Sequence, residues 1–481
     1  MTTNSVANTS SFVPSERSGD AGRRPARWLP LAACCLGTFL LLLYTSVVTV
    51  ALPSLGADLG AAFGARQWII DVYTLALAGL LLGAGALSDA LGARRLYLAG
   101  LALFTLATLA CGAAASPSWL IAARAVQGTA GAAMFASILP LIGSAYAGRD
   151  KATAFAIWGA VAGAASAVGT VGGGVLAEYA GWRWIFLGAV PLCALALAIA
   201  ARFLPPADRG SRGDRGARGL DWPGIATITV AVTASTYAVI AAGESGWTAP
   251  GTIAGGLAAG AALTAFVLFE RATARPILPP ALFTTPGFVG VLLVAFGYYF
   301  AAFGALPSLS AWLQADAGLG ALATSLVLVA QLLVFIAVSG LVSNRLQRLS
   351  PHWTLGAGTV VIGAGALTGI ALDAGSGWPA LLPFLVLSGV GAGIVSPVLP
   401  AVAMASVPAR YAGTAGAAAN AARQFGLTLG VAICGIFTHT VHAAGVRSAL
   451  VLCGLLATLT GAIAVLLLRH RTTAPSQLAE H

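Results

Sequence analysis

The sequence predicts an all-α integral membrane protein, and three features of its 481 residues predict it. About fourteen stretches of some twenty almost wholly apolar residues alternate with short polar breaks between Trp28 and Leu468. At 1.5 Å rise per residue, ~18 or more uncharged apolar residues match the hydrocarbon core of a bilayer, so each stretch reads as a spanning helix. The composition agrees: 58% of residues are hydrophobic and 8% charged, far from the roughly 25% charge of soluble domains. The third feature is where the charge lies. A net charge of +10 would suggest a nucleic-acid partner in a soluble protein, but nearly all the arginines stand in the breaks between apolar runs. They report threading, and no nucleic-acid partner is implied.

Residues 1–27 are polar and rich in Ser, Thr and Arg. The run after them exceeds a signal-peptide core, so they are predicted to form a disordered cytoplasmic tail. The apolar runs give fourteen spans, numbered 1 to 14 in order. Spans 1 to 6 cover 28–51, 68–87, 96–115, 119–145, 152–177 and 184–203, divided by polar breaks at Asp58 and Arg66, at Arg94 and Arg95, near Pro117, at Arg149 and Lys151, and at Glu178 and Arg183. The longest break, Arg202 to Asp221, is Gly/Arg-rich and has no apolar periodicity, which makes it the natural seam. Spans 7 and 8, 222–242 and 251–269, end at the proline-rich RPILPP (Arg275 to Pro280). Spans 9 to 14 cover 288–307, 321–342, 354–372, 380–403, 412–437 and 446–468, with breaks at Asp316, Arg345 and Arg348, Asp373, Arg410 and the segment before Arg447.

An even number of spans puts both termini on one side. With the termini in the cytoplasm, twenty Arg and Lys residues fall inside and three (Arg66, Arg183, Arg447) outside, a strong positive-inside bias. Six spans, two, then six suggest paired bundles over 28–203 and 281–470, with a linker and two inserted helices over 204–280 and a short tail over 471–481. Duplicated halves are a common plan for secondary transporters, with the binding site at the midplane between them. Glycine, 60 residues, supports close helix packing, and Gly159 and Gly163, Gly169 and Gly173, Gly389 and Gly393, and Gly426 and Gly430 have the G-x-x-x-G spacing. Each pair is open to two readings, static packing or a smooth face for sliding. The six cysteines lie inside apolar runs and behave as small packing residues, with no disulfide framework or metal site implied.

Between spans 2 and 3 stands GALSDALGARR, a compact charge cluster able to latch or release as helices shift. It resembles the loop signature of the major facilitator superfamily, G-x-L-x-D-R-x-G-R-R-R, with Gly85, Leu87, Asp89, Gly92, Arg94 and Arg95 in register and Ala90 and Ala93 departing. RAVQGTAGAA in span 4, with Arg124 and Gln127, looks like the family's R-x-x-Q-G pattern. GTVGGG in span 5 (Gly169, Thr170, Gly173, Gly174) resembles the antiporter signature G-P-x-x-G-G with threonine in place of proline. WRWIF (Trp182 to Phe186), DWPG (Asp221 to Gly224) and NAARQFGLTLG (Asn420 to Gly430) look like marks of the fourteen-helix drug/proton antiporter branch. The resemblance covers the chain after residue 28 and implies the major facilitator fold. One departure is clear: where that branch carries an aspartate in D-x-T-x-V-N-V-A-L-P, span 1 has Tyr44. This protein therefore couples differently or prefers another substrate charge.

Charged residues inside spans are functional candidates, because an arginine at a helix centre costs roughly 2.5–3.5 kcal/mol on insertion scales. Three stand out: Asp71, Arg124 and Arg423. Counting from the predicted outer ends, Asp71 lies ~5 Å, Arg124 ~8 Å and Tyr44 ~10 Å in. One reading pairs Asp71 with Arg124, Tyr44 bridging them, with Asp71 protonation altering the pair. The other makes Asp71 a wetted helix-end residue and Arg124 an anchor to backbone carbonyls. Arg423, with Asn420 and Gln424, forms a polar patch that either binds substrate or ties helices together. Tyr73, Gln127, Trp158, Tyr237, Tyr298, Tyr299, Phe300 and Phe303 are candidates for an apolar cavity wall.

The resemblance implies proton-driven export of amphipathic small molecules, drugs or antibiotics, from the cell membrane by alternating access. Its partners would be substrate, protons and the lipid bilayer, with the monomer as the working unit. No cofactor is expected, since no P-loop sequence is present. The rival readings are a transporter of one metabolite with other coupling, and a non-transporting sensor or membrane-embedded enzyme. An enzyme would need a cluster of His, Asp, Glu or Cys at one membrane face, which the sequence does not supply.

Overall fold

The computed structural model describes residues 28–204, 221–273, 276–346, 349–373, 375–408, 411–437 and 442–469. The predicted tails and most of the Gly/Arg-rich seam lie outside the described residues, which are helical and contain no strand.

The helical elements are α1 (Leu29–Asp58), α2 (Phe63–Leu91), α3 (Ala93–Gly112), α4 (Pro117–Ala145), α5 (Gly148–Tyr179), α6 (Arg183–Leu187 and Val190–Phe203), α7 (Trp222–Ser245) and α8 (Pro250–Ala272). After a short 3-10 turn, Pro280–Thr284, follow α9 (Pro286–Phe303 and Leu306–Ala315), α10 (Ala321–Leu346), α11 (Pro351–Leu367 with the 3-10 turn Thr368–Ala371), α12 (Trp378–Leu381, Leu382–Val395 and Leu399–Ala405), α13 (Ala412–Phe437) and α14 (Ala443–Arg469). Among the described residues, twelve helical spans are long and apolar enough to cross a membrane. The other two long helices, α2 and α13, have 29 and 26 residues.

Several boundaries differ from the hydropathy reading. Helix α1 continues through Pro53 to Asp58, past the predicted end at residue 51. A proline removes one backbone donor and bends a helix without necessarily ending it. Helix α9 breaks at Gly304, where a Cβ would sit 2.6 Å from the Cα of Gly430 on α13. Pro307, at the start of the second segment, has no backbone N–H and crowds the Phe303 carbonyl, which ends the first segment, and hydropathy does not register it because the residues around it are themselves apolar.

The packing repeats. Gly169 and Gly173 of α5 press on the backbone of α1, where a Cβ would come 2.9 Å from the Leu43 carbonyl and 2.8 Å from that of Val47. Gly426 and Gly430 of α13 press on the carbonyls of Phe296 and Phe300 in α9 in the same way. Gly128 of α4 meets the Tyr73 carbonyl of α2, and Gly389 of α12 meets the Gln331 carbonyl of α10. Helices 1, 2, 4 and 5 thus have counterparts in helices 9, 10, 12 and 13, each contact built on glycine because lipid supplies little force to hold helices together. One hydrophobic cluster gathers residues from Leu31 to Leu204, and another gathers residues from Val291 to Leu468. Val431 of α13 belongs to the first cluster, which marks where the halves meet.

The inserted helices α7 and α8 pack on each other, with Gly255 against Tyr237 and Ala238. Helix α7 leans on the outside of that meeting line: Thr229 Oγ1 donates to the Gly79 carbonyl of α2 at 3.0 Å, and Gly243 lies against Ile436 of α13. All six cysteines are buried free thiols.

Candidate functional site

Two polar assemblies occupy the apolar interior. The first surrounds Arg124, which is 1% exposed. Its Nε donates to the Ile69 carbonyl at 3.1 Å, Nη1 to Gln127 Oε1 at 2.8 Å and Nη2 to the Tyr44 carbonyl at 3.5 Å. The guanidinium also lies over the Tyr73 ring, 4.2 Å from its centroid. Gln127 passes the chain on, donating to Thr108 Oγ1 at 2.8 Å. Tyr44 donates to the Ile185 carbonyl at 3.2 Å and stacks on Phe186, while Tyr73 donates to the Leu41 carbonyl at 2.8 Å. Arg124 therefore pins α1, α2 and α4 together, and acceptors on three sides offset the cost of its burial. Tyr73 and Gln127 belong to this packed interior and not to an open cavity wall.

The second assembly lies where α2 of the first half meets α13 of the second. Gln67, Asp71 and Thr74 recur at helical spacing and share one face of α2. Thr428 Oγ1 donates to Thr74 Oγ1 at 2.9 Å, and the Gln67 side chain packs on Gly435, so that face is turned to α13. Asp71, between them, is 0% exposed and neither carboxyl oxygen accepts a hydrogen bond. Gln67 Oε1 and Gln424 Oε1 are likewise buried without a donor. Among the described residues no ion pair joins Asp71 to any cation.

The predicted pairing of Asp71 with Arg124 is thus not made. The carbonyl of Ile69 faces α4 and receives Arg124, but Asp71 is two residues further on, about 200° around the helix, and points across the seam. The depths change too. Since α2 starts at Phe63 and α1 ends at Asp58, Asp71 lies ~12 Å and Tyr44 ~21 Å from those helix ends. Sequence reasoning missed Gln67, Thr74 and Thr428. The available signal was polar residues at helical spacing on both α2 and α13.

In the second half, Arg423 lies over the Tyr299 ring at 4.3 Å and donates from Nη2 to the Tyr299 hydroxyl. Tyr298 and Phe303 pack edge-on or tilted against Tyr299, with centroids 4.8 and 5.1 Å away. Asn420 and Arg423 are half-buried, whereas Gln424 is buried. Phe300 is buried, Trp158 donates to Thr38 Oγ1 at 2.7 Å, and Tyr237 is partly exposed where α7 packs on Gly255 of α8, beside Trp68 of α2.

The loop signature joins helices within the first half. Gly92 ends α2 and begins α3 with φ +91°, a conformation that favours glycine. Arg94 donates from Nη2 to the Ala201 carbonyl at the end of α6, at 2.7 Å, while Arg95 follows in the first turn of α3. A Cβ at Gly85 would meet nothing within 4 Å. The side chain of Asp89 lies outside the described residues. In the α5 signature, Thr170 Oγ1 donates back to the Ser166 carbonyl at 2.9 Å, and Gly174 faces the other half, pressing on Ser325 and Ala321 of α10.

The halves meet on one side. Toward the loops that follow odd-numbered helices, Gln314 Nε2 donates to the Val50 carbonyl at 3.0 Å and the Leu322 amide to Glu178 Oε2 at 3.4 Å. The Gly174 and Thr74 contacts lie on the same side. Asp58 is braced there by Arg183 Nη1 at 2.6 Å and Trp182 Nε1 at 3.0 Å. Toward the loops that follow even-numbered helices, Gly85 and Gly159 face open space. A separate apolar cavity of about 460 Å³ lies under α7 and α8, lined by residues including Ala78, Ile228, Leu263, Ala422 and Phe425.

Comparison with known proteins bears on this architecture. The family model of the Major Facilitator Superfamily matches residues 34–304 and again 291–481. The chain is similar to a puromycin resistance protein of Streptomyces alboniger, 36% identical over 430 residues, covering 88% of this chain and 84% of that protein. It is similar to the cephamycin export protein CmcT of Amycolatopsis lactamdurans, 36% identical over 444 residues, covering 87% and 86%. A multidrug resistance protein, Stp, of Mycobacterium tuberculosis is 33% identical over 408 residues, covering 85% and 75%. The crystal structure of the human organic anion transporter MFSD10 shares the fold, with a TM-score of 0.65 at 16% identity over 91% of this chain and 99% of that one.

Proposed function

The chain belongs to the major facilitator superfamily and is a multi-pass membrane transporter of small molecules; from that premise we propose that it is a proton-driven exporter of amphipathic compounds such as antibiotics. All fourteen long helices cross the cytoplasmic membrane in this reading, with both termini cytoplasmic and the odd-numbered loops outside. The positive-inside distribution supports that orientation, and relatives named for puromycin resistance, cephamycin export and multidrug resistance support export. The halves over 28–203 and 281–470 rock against each other, with 204–280 carrying the inserted pair along the α2–α13 line.

The observation that carries the coupling is Asp71 in the seam between halves, buried with neither carboxyl oxygen accepting a hydrogen bond. A buried carboxylate with no donor and no cation beside it is costly, and a proton on Asp71 removes the unpaired charge. With that proton bound, the seam closes on the outer side and the cavity opens inward. With the proton lost to the cytoplasm and substrate bound, the bare carboxylate disfavours the closed seam, and the outer side opens. Arg124, Gln127 and Tyr44 hold the helix that presents Asp71, and Arg94 and Arg95 form an inner latch with Asp89.

The test is reconstitution in liposomes under an imposed pH gradient, with internal pH and a fluorescent amphipathic substrate followed together. Substrate accumulation against its gradient, with protons moving the opposite way, is expected. Substrate movement indifferent to the gradient would remove the coupling.

A further inference from the structure

We infer that Arg423 and Tyr299 form a subsite for the negatively charged group of the substrate, so that the compounds carried include amphipathic organic acids with a flat apolar body. The inference rests on the export reading above and adds the substrate's charge to it.

Arg423 lies ~17 Å from the start of α13, close to the middle of that helix. Its surface is the one toward the first half: Leu427, one turn on, packs against the first-half core, and Asn420, one turn back, continues the stripe toward the side where the halves part. Arg423 and Asn420 are both half-buried, while the Arg423 Nε itself is buried.

The two arginines of the membrane interior differ in what they lack. Arg124 spends its donors on two carbonyls and Gln127. Arg423 is held by the ring and hydroxyl of Tyr299, its Nε has no partner, and among the described residues no carboxylate forms an ion pair with it. A guanidinium presents a planar fork that fits a carboxylate with two parallel hydrogen bonds, and a fixed cation in an apolar medium gains most from an anion brought to it.

The surroundings fit the rest of the molecule. Tyr299, Tyr298 and Phe303 form a connected group of rings next to the guanidinium, suited to a flat apolar body. The acids lie elsewhere: Asp71 packs against the stretch of α13 between Thr428 and Gly435, beyond Arg423 along the helix, and the position in α1 that meets the Arg124 cluster is a tyrosine, Tyr44, packed between Phe104 and Phe186. A guanidinium with a spare donor and no paired carboxylate selects organic anions over cations.

The experiment measures binding of 2-naphthoate and its neutral analogue 2-naphthamide to the purified full-length protein in detergent by titration calorimetry. The protein is expected to bind the acid at least ~10-fold more tightly than the amide, since charge-assisted hydrogen bonds are about twice as strong as neutral ones. Arg423→Gln should remove that preference and leave amide binding within about twofold, as expected of a change confined to the anion subsite. Arg423→Lys should restore part of it, because charge returns without the fork. Tyr299→Phe, which removes the hydroxyl that orients the guanidinium, gives a milder loss for the acid alone and serves if Arg423→Gln does not fold. Equal affinity of the unaltered protein for acid and amide, or equal losses of both in the variants, would overturn the subsite. Binding is read without flux, so the two ideas fail separately. Selective binding with gradient-indifferent transport rejects the exporter mechanism alone, and gradient-driven export with no preference for the acid rejects the subsite alone.

Discussion

Asp71→Asn is expected to uncouple the transporter, leaving substrate flux that no longer responds to an imposed pH gradient. The carboxamide is neutral and has no titratable proton, so it stands in for the protonated carboxyl at every pH. The predicted phenotype is a fold that persists, with energised accumulation reduced at least tenfold, the size of an interaction of about 1.4 kcal/mol or more between the seam and the proton. Proteoliposomes with and without a gradient check it. Unchanged gradient-driven accumulation by the variant would assign the proton to another group. Arg124 carries no such proton, since its donors are taken up by two backbone carbonyls and Gln127.

The second large effect is expected at Gly173. A Cβ there would come 2.8 Å from the Val47 carbonyl, and a leucine would drive α5 off α1. Overpacking of this kind costs about 1–3 kcal/mol where the backbone can yield. Here the next residue, Gly174, also presses on α10 of the other half, so α5 cannot move away from α1 without disturbing the contact between halves. Gly173→Leu should therefore cost at least ~10-fold in transport per molecule in the membrane, by the 1.4 kcal/mol that a factor of ten represents. Gly172→Leu on the same helix, where a Cβ meets nothing within 4 Å on the side already closed, should transport within twofold of the parent, since a side chain that meets nothing adds no overpacking. Flux normalised to membrane protein separates the two. Similar losses in both would show that α5 tolerates no side chain at either position, and the close packing on α1 would not be the cause.

What the sequence disclosed follows the physics of each feature. Apolar length is a one-dimensional property, so the predicted span at 412–437 coincides with α13. The continuation of α1 through Pro53 to Asp58 and the break of α9 ahead of Pro307 are backbone properties, and hydropathy does not tell a proline that bends a helix from one that breaks it. The interior ionisable residues were visible by type because charge is rare in lipid. Their partners were harder to read: depth along the axis suggested Asp71 with Arg124, whereas the angle around the axis separates them. The helical period contained the answer, since Gln67, Asp71 and Thr74 share a stripe and Gln424 and Thr428 share another. Which stripes meet is a property of the assembled halves. The Gly169, Gly173 and Gly174 face was legible as a motif, but its division between α1 and α10 was not.

The central claim is that the two halves exchange which side they close. The most direct measurement is pulsed electron–electron distance spectroscopy on spin labels placed at Ala57→Cys and Ala315→Cys toward the odd-numbered loops, and separately at Leu91→Cys and Ala405→Cys toward the even-numbered loops, with the six buried cysteines replaced. All four labelled positions are exposed. On going from acid to alkaline conditions with substrate bound, the first distance should lengthen as the second shortens. Two distances that stay fixed, or that lengthen together, would contradict it.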